Sequence, residues 1–177
     1  MNLELESMAI EMPVVDGHPN RQAFRGILTL VDVPSDRPPS GARGHRVMLT
    51  AKAAEAALPS LLGMAVDYAP RLEGHDARMK VGIITLAEIA EAGVARVSRG
   101  RNVVVEGYLF ARDFPEIVME IKDRGRASLG MSYEIADVRV ADVNAGVWEV
   151  TEFTFTGAAV LKRDKAAYRQ TSIELVN

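Results

Sequence analysis

No cysteine occurs anywhere in the 177 residues. That one absence removes disulfides, thiolate metal ligands and a cysteine nucleophile. Histidine is scarce: His18, His45 and His75 stand alone, none in HExxH or a comparable ligand spacing. A catalytic zinc site therefore has no basis, and no metal or cofactor is expected. No GxxxxGK[ST] is present, and the glycines of "GARG" and "SRGRN" lack the strand–glycine–helix setting of a phosphate cradle. Neither sign of charge dominates. A net charge of −3 is too weak for a nucleic-acid footprint, so no nucleic-acid partner is expected. The densest basic run, Arg96–Arg101 in "RVSRGR", reads as a solvated turn. No apolar run approaches the roughly 18 residues of a membrane span. The start, "MNLELESMAIEM", is acidic and lacks the basic n-region and apolar core of a signal peptide. No membrane partner is expected, and the chain should begin life in the cytoplasm.

What is present supports a core. Hydrophobic residues make up 48% of the chain, enough to argue against general disorder. The length suits one domain that buries about 70% of its unfolded surface. Residues 1–20 read as a tail or edge segment and 21–177 as the single domain. Runs rich in apolar and β-forming residues predict strands at Ala23–Val33, at "RVMLT", at Met64–Ala69, from Lys80 to Ile89 and over Val103–Ala111. The stretch Pro34–His45, with three prolines and two glycines, is a loop. Thr50 is placed to cap a helix through "AKAAEAALPSLL". In "RDFPEIVMEIKDRG" Asp113 is the expected cap, Pro115 lies in the first turn, and Gly125 is the expected stop. Its stripe of Ile117, Val118 and Ile121 serves a core or an interface. "GVWEVTEFTFTGAAVL" is a strand pair or bent strand, and "TSIELV" a last strand. Seven or eight strands in succession, with two short helices and few helical crossovers, predict a mostly β fold. The expected form is a closed or nearly closed antiparallel β-barrel.

"LGMSYEI", Leu129–Ile135, holds the residue that needs explaining. Leu129, Met131, Tyr133 and Ile135 share one strand face; Ser128, Gly130, Ser132 and Glu134 share the other. A strand serine is ordinarily a passive hydrogen-bonding residue, and small neighbours are ordinary on a solvated face. The alternative is that Ser128 and Gly130 keep that face low so that a substrate backbone can approach Ser132.

A second stretch, "EGHD" (Glu73–Asp76), precedes the strand "KVGII". Alone, its histidine is an ordinary surface residue. With "HDARMKVG", "VVVEGYLF", "FPEIVMEIKDRGRASLGMSYEI" and "EFTFTGAAVL" following in that order, residues 64–168 resemble the tailed-phage prohead serine proteases, relatives of herpesvirus assemblin. The resemblance implies an assemblin-like barrel with Ser132 as nucleophile and His75 as base. Glu152, at the family's acidic position, would be the third member, with Glu149 and Asp76 as rivals. Assemblins use a second histidine there, and no histidine follows His75 in this chain. The chemistry is coherent: imidazole takes the hydroxyl proton and returns it to the leaving amine, and the third group orients the ring. By order, Lys162 and Arg163 match the basic residues of the assemblin oxyanion site, with a backbone amide near Thr156–Ala158 as the other candidate. An ordinary solvated turn is the plain reading of the two basic residues.

One geometric condition attaches to Glu152. A tight hairpin at "DVNAGV" puts Ser132 opposite Ala158 and Glu152 opposite Val138. Those positions are about 20 Å apart along the ladder, too far for one triad. The role therefore requires a longer loop, a bulge or non-adjacent strands. The resemblance further implies cleavage of a major capsid or scaffold protein during phage head maturation, inside the procapsid in the bacterial host cytoplasm. It also implies a homo-oligomer, with a dimer favoured. The reading from another class is a non-catalytic head or scaffold protein of the same fold.

Overall fold

Thr50 behaves as its place before an alanine-rich run predicts: its hydroxyl accepts a hydrogen bond from the Ala53 N–H at 3.2 Å and opens helix α1 (Ala51–Ala57). Pro59 then sits in the first turn of a 3₁₀ segment, Leu58–Leu61, that ends the helical run. The computed structural model describes residues 20–91 and 101–176. The expected N-terminal tail up to residue 19 and the basic run up to Gly100 lie outside the described residues.

The strands are β1 (Gln22–Val31), β2 (Arg46–Leu49), β3 (Ala65–Asp67), β4 (Lys80–Glu91), β5 (Arg101–Leu109), β6 (Leu129–Val140), β7 (Val147–Lys162) and β8 (Ser172–Leu175). The second helix, α2, spans Pro115–Ser128. Its N-cap is Phe114, without a side-chain cap; the expected cap, Asp113, instead accepts a hydrogen bond from the Asn20 side chain at 2.8 Å. Gly125, with φ +45° and ψ −153°, is non-helical, so the first helical run stops there as expected and a short second one continues to Ser128. Ile117 and Ile121 are buried in the core beside Leu129 and Met131, so this stripe is core packing. Among the described residues no helix is long and apolar enough to cross a membrane.

The fold is mostly β, built on one eight-stranded sheet. β7 is its organising strand. One edge pairs antiparallel with β6 along its length. The other edge pairs parallel with β2 over Val147–Val150 and parallel with β3 at Ala158 and Ala159. From β3 the ladder continues antiparallel through β4, β5, β1 and β8. The expected closed antiparallel barrel is therefore corrected to a mixed sheet that does not close. Two parallel pairings arise because β2 and β3, joined by α1, run in the same direction along the unusually long β7. The curl is real even so: a Cβ on Gly26 of β1 would collide with the Met131 thioether of β6.

Glycines mark where this curl is tightest. A Cβ at Gly107 of β5 would run into the Ile83 carbonyl of β4, and backbone cannot give way as a flexible side chain can. Gly107→Ala is expected to cost about 1–3 kcal/mol, read as a lowered urea midpoint at unchanged slope. Gly146→Ala, which meets nothing within 4 Å, should change stability by less than about 0.5 kcal/mol.

Candidate active site

Three neighbouring strands bring two polar residues into one row. Ser132 of β6 pairs with Ala159 of β7, and Ala159 pairs on its other side with Asp67 of β3. Residues in register face the same side of a sheet, and strands lie about 4.8 Å apart. Ser132 and Asp67 therefore stand about 10 Å apart, backbone to backbone, across an alanine too small to fill the gap between them. Tyr133, Ala158 and Val66, the next row, join the hydrophobic core.

His75 reaches this gap from the connection between β3 and β4. That connection is pinned. Arg71 and Leu72 both have left-handed backbone, with φ of +76° and +56°, a conformation costly for residues with a Cβ. Leu72 is buried in the core, and its carbonyl accepts a hydrogen bond from the Lys162 N–H at 2.8 Å. Core burial and the β7 contact thus hold the strained turn, which in turn aims His75.

The buried carboxylate of Asp67, 1% exposed, is the hub. Its Oδ1 lies 3.5 Å from His75 Nδ1 and accepts from the Asp76 backbone N–H at 3.2 Å. Its Oδ2 accepts from Lys80 Nζ at 3.3 Å. Burial pushes the Asp67 carboxyl up, but the neighbouring imidazole, the Asp76 amide and the Lys80 ammonium outweigh it and hold it below the ordinary value. Glu134, exposed on β6 over Gly157, is the other carboxylate near the ring, 4.0 Å from Nδ1. Neither ring nitrogen completes a hydrogen bond in this conformer, Ser132 Oγ included. Catalytic hydrogen bonds are commonly long before substrate arrives.

His75 and Ser132 line the same cleft, of about 960 Å³, with Glu134, Thr156 and Trp148 among the other lining residues. The loop Arg37–Ala42 forms part of its wall. An imidazole with a buried carboxylate at Nδ1, and a serine hydroxyl one strand beyond β7, has the parts for activating a nucleophile. Among the described residues no group of three His, Cys, Asp or Glu side chains is arranged to hold a metal ion.

The expectation for Glu152 is corrected. The β6–β7 hairpin is tight, so Glu152 pairs with Arg139 in register and its carboxylate lies 3.1 Å from the Arg139 guanidinium, 61% exposed. Seven residues along β7 separate it from Ala159, about 23 Å at strand rise. Glu149 lies farther along the same strand, opposite Met48. Asp76 contributes its amide to Asp67, while its carboxylate is bonded to Arg78 at 3.2 and 3.3 Å. Lys162 is paired with Glu73 at 3.5 Å, and the Arg163 amide donates to the Ser128 carbonyl at 2.9 Å. The trough expected beside Ser132 is absent on one side: Gly130 is small because Thr171 packs directly over it.

Asp67 is the residue that sequence reasoning passed over. The signal was present in "MAVDYA": a lone acid inside an apolar strand is costly to bury unless something pairs with it. Because its carboxyl is lowered on folding, ionised Asp67 contributes stability that is fully present above its unfolded value, near 3.8. That contribution is lost as pH falls through the lower folded value. In acid titrations followed by circular dichroism, Asp67→Asn should flatten the stability loss below that pH and leave the loss at higher pH unchanged.

Comparison with known proteins adds a family. A family model described as the YonD N-terminal domain matches residues 44–177, a span that includes Asp67, His75 and Ser132. No curated protein and no solved structure matches the chain.

Proposed function

We propose that this chain, which belongs to the YonD N-terminal domain family, is a serine endopeptidase. The observation that carries the reading is the approach of His75 Nδ1 to buried Asp67, 3.5 Å away, in the cleft that Ser132 also lines. With Nδ1 turned to Asp67, Nε2 is the nitrogen left for Ser132. The hydroxyl oxygen attacks a peptide carbonyl while its proton passes to Nε2. The same proton then goes to the leaving amine, and water hydrolyses the acyl-enzyme by the reverse transfer. Asp67 holds the ring in the productive tautomer and stabilises the imidazolium.

The substrate follows from the resemblance of residues 64–168 to prohead proteases. It is the major capsid protein or a scaffold protein, cut inside the phage procapsid. In this reading the curled sheet is an assemblin-type barrel left open between β6 and β8, and the protein works as a dimer. The buried stripe of α2 does not supply that dimer interface, so sedimentation over a concentration series tests it separately. A non-catalytic head protein of the same fold is the competing reading. The absence of a hydrogen bond between Ser132 and His75 and the structural bonds of Asp67 to Asp76 and Lys80 favour it. Co-expression with a phage major capsid protein or scaffold protein, followed by mass spectrometry, decides. A defined new terminus in the capsid or scaffold protein supports the enzyme; intact partners that co-purify with the chain support the alternative.

A further inference from the structure

Five ionisable side chains line the cleft: Arg37, Glu73, His75, Glu134 and Lys165. The two acids have partners. Glu73 pairs with Lys162 at 3.5 Å, and Glu134 reaches His75 at 4.0 Å. Arg37 and Lys165 have none. Among the described residues neither is paired with a carboxylate, and Arg37 Nη2 is buried without a hydrogen-bond partner. A buried donor left without an acceptor is costly, and more so when it carries charge. The unpaired charge of the cleft is therefore positive.

The two cations share one support. The Asp36 N–H donates to the Ala167 carbonyl at 2.9 Å. The Arg169 N–H donates to the Asp36 carboxylate at 2.7 Å. Arg37 Nε donates to the Ala166 carbonyl at 3.0 Å. Three bonds thus tie the root of the Arg37 loop to the turn that carries Lys165, so both charges are held near each other before any ligand arrives. The acids closest in sequence do not neutralise them: the Asp36 carboxylate is engaged by the Arg169 amide, and Asp164 does not line the cleft. With Nε committed, the terminal nitrogens of the guanidinium remain. Their fork matches the two oxygens of a carboxylate.

We infer that Arg37 and Lys165 form a subsite for one carboxylate of an acidic peptide, apart from the position beside Ser132. Glu134 lies two residues from Ser132 on the same strand face, so a carboxylate placed there would meet like charge. Arg37 and Lys165 belong to other segments of the wall and take the anion instead. The carboxylate is that of an aspartate or glutamate side chain or of a chain terminus. The subsite stands whether or not Ser132 cleaves what is bound.

The test uses the full chain carrying Ser132→Ala, so that nothing is hydrolysed, and follows the Arg37 and Lys165 side-chain signals by NMR. The probes are three pentapeptides: Gly-Ser-Glu-Ser-Gly blocked at both ends, the same with Gln for Glu, and the Gln peptide with a free C-terminal carboxylate. Saturable shifts at Arg37 and Lys165 with the blocked Glu peptide assign the carboxylate to a side chain, and with the free-ended Gln peptide to a terminus; either supports the subsite. The blocked Gln peptide should bind about tenfold more weakly or worse. Lys165→Glu, a change at an exposed position, and Arg37→Gln should each weaken the acidic peptide by about fivefold or more and leave the blocked Gln peptide unchanged. Equal affinity for the acidic and blocked Gln peptides, shifts elsewhere in the cleft only, or an unaltered preference in the Lys165→Glu chain overturns the inference. Processing of a capsid or scaffold protein by the wild-type chain is scored separately. Its absence refutes the endopeptidase and leaves the subsite, and processing without any carboxylate preference refutes the subsite alone.

Discussion

Ser132→Ala is expected to abolish processing of the capsid or scaffold protein while leaving the fold intact. Loss of a triad nucleophile lowers turnover by about 10⁴-fold or more, which removes detectable product in a co-expression experiment. The fold should not notice. The Ser132 side chain makes no hydrogen bond among the described residues, and alanine already occupies the next position in the row, Ala159. Stability should change by less than about 0.5 kcal/mol. The two measurements belong together, because a mutant that unfolds says nothing about catalysis. A well-folded Ser132→Ala chain that processes its substrate at the wild-type rate would eliminate the proposed mechanism.

The second large effect separates Asp67 from Glu152. Asp67→Asn should lower turnover by roughly 10²–10⁴ with little change in substrate affinity. An amide at that position no longer stabilises the imidazolium and can hold the ring in the wrong tautomer. The same change weakens the bond to Lys80, so a loss of about 1–3 kcal/mol in stability is expected alongside. Single-turnover rates must therefore be compared at equal folded fractions. Glu152→Gln removes an exposed pair with Arg139, and exposed pairs contribute about 0–1 kcal/mol. Its rate should stay within about threefold of wild type. Should Glu152→Gln be the crippled variant and Asp67→Asn the active one, the row Ser132–Ala159–Asp67 is not the catalytic geometry.

Local chemistry made much of the chain legible. Thr50 caps α1 because a hydroxyl before an alanine run satisfies an open N–H, a matter of neighbouring residues alone. Alternation placed the strand carrying Ser132, and the loop carrying His75 followed from polar residues between two apolar runs. Asp113 failed as a cap because a tertiary partner, Asn20, 93 positions away, competes for its carboxylate.

Which acid stands beside His75 was a question of register, and only the tertiary structure decided it. Ser132 and Asp67 fall in one row because β7 offers one edge to β6 and the other to β3 at the same residue, Ala159. Nothing in the order of residues states which strand lies across β7, and the parallel pairing of β3 is a long-range choice. A tight hairpin at Asp142–Val147 moved Glu152 about 23 Å down the ladder, where Arg139 holds it. The resemblance to prohead proteases named a serine, a histidine and several acids. Which acid stands beside the histidine depended on strand order, because strands bring together residues that the chain keeps far apart.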